Sequence, residues 1–234
     1  MKSNQPNHSG LLRLGGIAGI CAGLCILTFA ISSEIKGTLF VNEALSGGSI
    51  NAWIQNVISN PDFVKYIMIL PILGFSFMLV LGYVLYQLIG VSSWQKNLSL
   101  VGYIIGVPVV VSAFVAHVSL INQLIQQTTP SAEISTQIEV YTSFAFHRWM
   151  VINDYIGPFF IIIVGHSLMG WAAYKANVLP KWMAYWAVFN GSILLINFLH
   201  PIFPALAILG LGGPLSMLWL VVCGTILLRK VRIA

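Results

Sequence analysis

Charge is what this sequence has least of. Asp, Glu, Lys and Arg together make up only 7% of its 234 residues, against 58% hydrophobic ones, whereas a soluble domain carries about 25% charged residues. That balance, with a mean hydropathy of +0.88, excludes a water-soluble fold and makes lipid the expected solvent of most of the chain. Familiar catalytic and metal-binding signatures are missing as well. There is no P-loop, no nucleophile elbow, no CxxC, and none of the HxxxH, HExxH or CxxCH spacings. Ser112, Ser167 and Ser192 lie in apolar runs without a base at helical spacing and read as packing residues. The three cysteines, Cys21, Cys25 and Cys223, all fall within apolar runs, which points to small buried side chains rather than a disulfide. No composition shift marks a separate soluble domain or a low-complexity linker, so residues 1–234 read as one domain.

Long apolar runs are there in number. Crossing a hydrocarbon core of roughly 30 Å takes about 20 helical residues, and six stretches qualify: 11–32, 64–90, 98–121, 151–174, 182–202 and 205–228. They are continuously apolar and lack the alternating polar face of a barrel strand. The expected fold class is all-α, a polytopic integral membrane bundle of six transmembrane helices. The first run is too long for an ordinary signal-peptide core and is expected to stay as a crossing helix.

Six crossings put all six carboxylates, Glu34, Glu43, Asp62, Glu133, Glu139 and Asp154, on one side. Lys2, Arg13, Lys96, Lys175, Lys181, Arg229, Lys230 and Arg232 fall on the other, and Lys36, Lys65 and Arg148 with the carboxylates. The excess of cations marks the cytoplasmic side, so both termini are expected there. The net charge of +5 is then topological, and no nucleic acid is implied. Trp94, Trp171 and Trp182 at the inner boundary and Trp149 at the outer one form an aromatic belt.

The connection 33–62 contains Ile50, Trp53, Ile54, Val57 and Ile58, an apolar stripe at helical spacing. Ser49 is a candidate cap and Asn60-Pro61 a stop. This predicts a short helix on the outer leaflet or over the bundle mouth. Ile121, Leu124 and Ile125, then Ile134, Ile138, Tyr141 and Ala145, extend the pattern past the third run, so a small outer helical cap is expected. Gly15, Gly19 and Gly23 share one face of the first run, and Gly102 and Gly106 one face of the third. Packing within the bundle is the simpler use of both faces; a homo-oligomer or a membrane partner is the other.

Polar residues inside spans are costly and are the first functional candidates. His166 lies nine residues from Lys175 and Asn190 nine from Lys181, which at the helical rise places each about 14 Å above the inner boundary. On helices joined by a tight hairpin the two can face each other, as an interhelical hydrogen bond or as part of a proton or ligand path. Asn197 is a third intramembrane candidate. Higher up, His117, Asp154, Asn197 and His200 sit about 24–31 Å above that boundary, with His147 and Arg148 one layer further out. His117, His147, Arg148, Asp154 and His200 are candidates for an outer-side pocket, whose histidines suit a divalent metal or a haem by donor type but not by spacing. No cofactor is assigned. Gly212, Gly213 and Pro214, with Gly210, predict a kink or unwound turn in the last span, a feature that recurs at transporter midplanes. Pro71, Pro108 and Pro158 predict further bends.

Gly82-Tyr83-Val84-Leu85-Tyr86, then Phe146-His147-Arg148, and above all the run from Gly165-His166-Ser167-Leu168 to Leu179-Pro180-Lys181-Trp182 followed by Gly191, resemble a bacterial multi-pass membrane family called domain of unknown function 4386. The resemblance covers most of the chain and implies six helices in a bacterial inner membrane; it names no substrate. Where that family carries a small or aromatic residue after the glycine this chain has His166, so no role for His166 transfers. The sequence alone favours a non-catalytic accessory, sensor or assembly protein over two alternatives, a small-molecule or ion transporter using His166, Asn190 and the kinked last span, and a metal or haem protein using the outer histidines.

Overall fold

A computed structural model describes residues 8–38, 50–126, 155–200 and 202–231. Among them there is no strand. Their helices are α1 (His8–Ile35), α2 (Ile50–Ser59), α3 (Pro61–Ile67), α4 (Ile69–Ile89) and α5 (Trp94–Gln126), then α6 (Ser167–Lys175), α7 (Lys181–Asn197) and α8 (Gly212–Val231). A π-helical segment, Phe159–His166, leads into α6, and a 3-10 segment, Pro204–Leu211, leads into α8. Five helical stretches are long and apolar enough to cross a bilayer: His8–Ile35, Pro61–Ile89, Trp94–Ser119, Tyr155–Lys175 and Pro204–Val231. The remaining run forms α7. Its 17 residues rise about 26 Å at 1.5 Å each, the short end of what spans a bilayer, and a turn at Phe198–His200 extends it.

Neighbours in sequence are neighbours in space. Each of α4, α5, α6, α7 and α8 packs on the helix before it in this series, and α8 closes back on α1, which also packs on α4. Along α1 and α8 the partners run in opposite order: Gly15 meets Leu227, Gly19 meets Leu220 and Gly224, and Gly23 meets Met217. A Cβ on Gly19 would come within 2.9 Å of the Leu220 carbonyl oxygen, so the two backbones lie as close as glycine permits. Gly102 and Gly106 of α5 do the same for the π-helical segment, where a Cβ on Gly102 would stand 2.6 Å from the Phe160 carbonyl oxygen. Both glycine faces therefore serve packing inside the chain. Around the outside, Leu14, Ile17, Leu24, Ile104, Ile105, Val115, Phe189 and Leu195 are exposed, as side chains facing lipid should be.

Helix breaks fall at residues whose backbones cannot continue an α-ladder. Pro61 starts α3 directly after the Asn60 break, and Pro71 sits in the first turn of α4, where its missing N–H costs nothing. Pro108 is carried inside α5. Pro158 immediately precedes the π-helical segment, and removing one donor there accompanies the shift of the ladder to wider turns. The expected irregularity of the last span is present as a change from 3-10 to α geometry at Gly212, with Pro214 in the first turn of α8. The hairpin between α6 and α7 closes with Asn177 at φ 58°, where Asn177 N–H donates to the Tyr174 carbonyl and Val178 N–H to the Ala173 carbonyl, the paired bonds of a Schellman ending.

The amphipathic α2 folds onto the bundle rather than lying out on the leaflet. Trp53, Ile54 and Val57 are buried, and α2 packs on α5. Asn56 Nδ2 donates to the Gly37 carbonyl at 3.2 Å. Ser49, and the second stripe from Ile134 to Ala145, lie outside the described residues.

Candidate functional site

One buried face of α5 reads Tyr103, Val107, Val110, Phe114, His117, Ile121, a spacing of three and four that keeps a single stripe toward the bundle interior. Its inner end brings Tyr103 against His166, at the last position of the π-helical segment, with ring centroids 5.6 Å apart and edge to face. Trp219 of α8 meets His166 from another side at 5.2 Å, again edge to face. Asn190 of α7 completes the level. Gly191, next to it, packs on Ser167, next to His166, so the two polar residues share a depth. Tyr103 is 0% exposed, and His166 and Asn190 1% each.

Most polar groups in this layer are spoken for. Trp219 Nε1 donates to the Met183 carbonyl at 2.9 Å and Ser99 Oγ to the Gly165 carbonyl at 2.7 Å. Ser167 Oγ lies 3.1 Å from the carbonyls of both Ile162 and Ala187, and Ser216 Oγ donates to the Gly212 carbonyl at 2.8 Å. The Tyr103 hydroxyl, both ring nitrogens of His166 and both amide atoms of Asn190 have no hydrogen-bond partner. The direct bond expected between His166 and Asn190 is therefore not made. Edge-on contacts with two aromatic rings surround the imidazole instead. In an apolar interior, five unengaged polar atoms on three helices are a costly arrangement.

Sequence reasoning found His166 and Asn190 and missed Tyr103 and Trp219. A usable signal existed, because aromatics with polar handles prefer the membrane interfaces. By sequence Trp219 is ten residues from Arg229, about 15 Å at the helical rise, although its indole reaches back to Met183, next to Trp182 of the expected belt.

The outer candidates separate. His117 is buried beneath α2, edge to face with Trp53 at 5.8 Å, in the part of the bundle where Phe114 meets Phe29 and Phe75. His200 stacks on Tyr155 at 6.3 Å and its Nδ1 donates to the Asn197 carbonyl at 2.9 Å. Asn197 keeps its Oδ1 buried without a partner, beside Gly210. His147, Arg148 and Asp154 lie outside the described residues. Among the described residues no three His, Cys, Asp or Glu side chains gather in a metal-binding group.

Several cations lie against aromatic rings, with Lys96 Nζ 4.0 Å from the Tyr86 centroid, Lys181 Nζ 5.4 Å from that of Tyr185 and Lys175 Nζ 5.8 Å from that of Trp171. Lys230 Nζ donates to the Asn177 carbonyl at 2.9 Å. These contacts suit an interface with lipid headgroups, where apolar stems and charged tips are both satisfied.

Residues 21–228 match the model of the family described as Domain of unknown function (DUF4386). The chain belongs to this family. The match spans all the segments that carry Tyr103, His166, Asn190 and Trp219. No curated protein and no solved structure shows significant similarity to the chain.

Proposed function

We propose that this member of the family is a six-span protein of the bacterial inner membrane, with both termini cytoplasmic, that passes a small solute through the midplane site. Tyr103, His166, Asn190 and Trp219 carry it. The observation behind this reading is the set of five buried, unengaged hydrogen-bonding atoms at one depth. Intramembrane polar groups that are not used as helix glue mark substrate or ion paths. Two irregular backbone segments, the π-helical turn ending at His166 and the 3-10 to α change at Gly212, adjoin the same level, and such breaks accompany midplane binding sites. Antiparallel register of α7 on both sides supports its crossing as the sixth span: Gly170 meets Ala187, and Trp219 reaches Met183.

The non-catalytic accessory reading leaves those five atoms without a use. The metal and haem readings need outer donors that, among the described residues, pack apart on Trp53 and Tyr155. Reconstitution tests the proposal. Liposomes containing the full chain should equilibrate small solutes faster than protein-free ones, His166→Leu should remove the gain, and His117→Leu should leave it. Flux that survives His166→Leu sinks the assignment.

A further inference from the structure

Resting on that reading of the midplane site, we infer that its solute is a small uncharged molecule that both donates and accepts hydrogen bonds. The side chains that would meet it are ampholytic: a phenol, an imidazole and a primary amide each offer donors and acceptors, and none is a fixed ion. No charged side chain among the described residues stands at this level. Glu34, Lys36, Asp62 and Lys65 are toward the outer end of the proposed threading; Arg13, Lys96, Lys175, Lys181, Arg229 and Lys230 are toward the inner end. A bare cation or anion entering here would lose its hydration without a countercharge, a penalty that neutral dipoles offset poorly.

Backbone carbonyls are the usual remedy for a cation, and those of Gly165, Ala187 and Gly212 in this layer already accept from Ser99, Ser167 and Ser216, so a cation would compete with those donors. What is left over is balanced between donors and acceptors, which selects a partner of the same mixed character. The site is also tightly packed: His166 lies against the rings of Tyr103 and Trp219 at 5.6 and 5.2 Å, ordinary contact distances for ring pairs, and Tyr103, His166 and Asn190 are all buried, so a solute that reaches it must be small. Urea, acetamide and glycerol have the required chemistry.

The test uses the full chain in liposomes, with those three compounds as uncharged probes and K+ and Cl− as charged ones. Light scattering after a concentration jump follows the first group, ion-sensitive dyes the second. At least one uncharged probe should equilibrate roughly tenfold faster than through protein-free membranes, with His166→Leu and Asn190→Leu both returning it to the protein-free rate. Tyr103→Phe, which removes a hydroxyl and no ring volume, should slow it by about tenfold, one hydrogen bond's worth of recognition. Helicity and melting of each variant separate loss of passage from loss of fold. K+ or Cl− flux that depends on His166 overturns the uncharged class while leaving the passage reading intact. No protein-dependent flux of any probe overturns both, and uncharged flux indifferent to all three substitutions overturns the site.

Discussion

At the midplane the side chains divide by whether their polar atoms are engaged, and the two sorts should respond oppositely to substitution. Trp219→Phe and Ser99→Ala each remove an interhelical donor, and by the average of such bonds in membranes each should cost about 0.6 kcal/mol, with about 2 as the ceiling. His166→Leu and Asn190→Leu remove polar atoms that have no partner, so thermal stability in detergent should stay level or rise. The two changes should also add, to within about 0.5 kcal/mol, because no bond joins them. Compensation between the pair in a double-mutant cycle would restore the direct hydrogen bond that spacing alone predicts. Matched depth was legible in the sequence, since nine residues to Lys175 and nine to Lys181 fix it. Facing was not, because the π-helical turn before His166 changes the angle per residue on which any helical-wheel argument depends.

Among the elements, the long helices followed from apolar run length, and the end of α2 from Asn60-Pro61. The tight inner hairpin was marked by short spacing and Leu179-Pro180. The π-helical segment was not legible, because Pro158 signals a disturbed ladder without saying whether the chain bends, breaks or widens. The glycines of α1 signalled a close neighbour but not which one; only the chain's closure, α8 against α1, identifies it. That contact yields a sharp prediction. Gly19→Leu must push apart backbones that admit no Cβ, and overpacking of this kind costs about 1–3 kcal/mol or more. Exposed Leu14→Ala on the same helix should cost far less, since it faces lipid and fills no interior space. Equal melting temperatures for the two variants in detergent would show that the α1–α8 seam is not where the bundle is tightest.

On the scale of the whole molecule, charge placement and helix order bear on the threading by separate routes. Across the proposed six-span threading eleven cations split eight to three, an asymmetry that predicts cytoplasmic termini. Independently, α8 runs antiparallel to α1, with Leu227 beside Gly15 and Met217 beside Gly23, so the start of α1 and the end of α8 lie at the same end of the bundle. An odd number of crossings would separate them. The short α7 is the element on which the count turns, and its 17 residues leave length alone undecided. A reporter active only in the cytoplasm should therefore work when fused after Ala234 or inserted at Ser93, and be silent at Gly47. Activity after Ala234 with activity also at Gly47 would remove a crossing at α1 and overturn the threading. Silence after Ala234 with activity at Ser93 would leave α7 folded against the bundle without crossing it, and Asn190 would then lose the midplane depth on which its role depends.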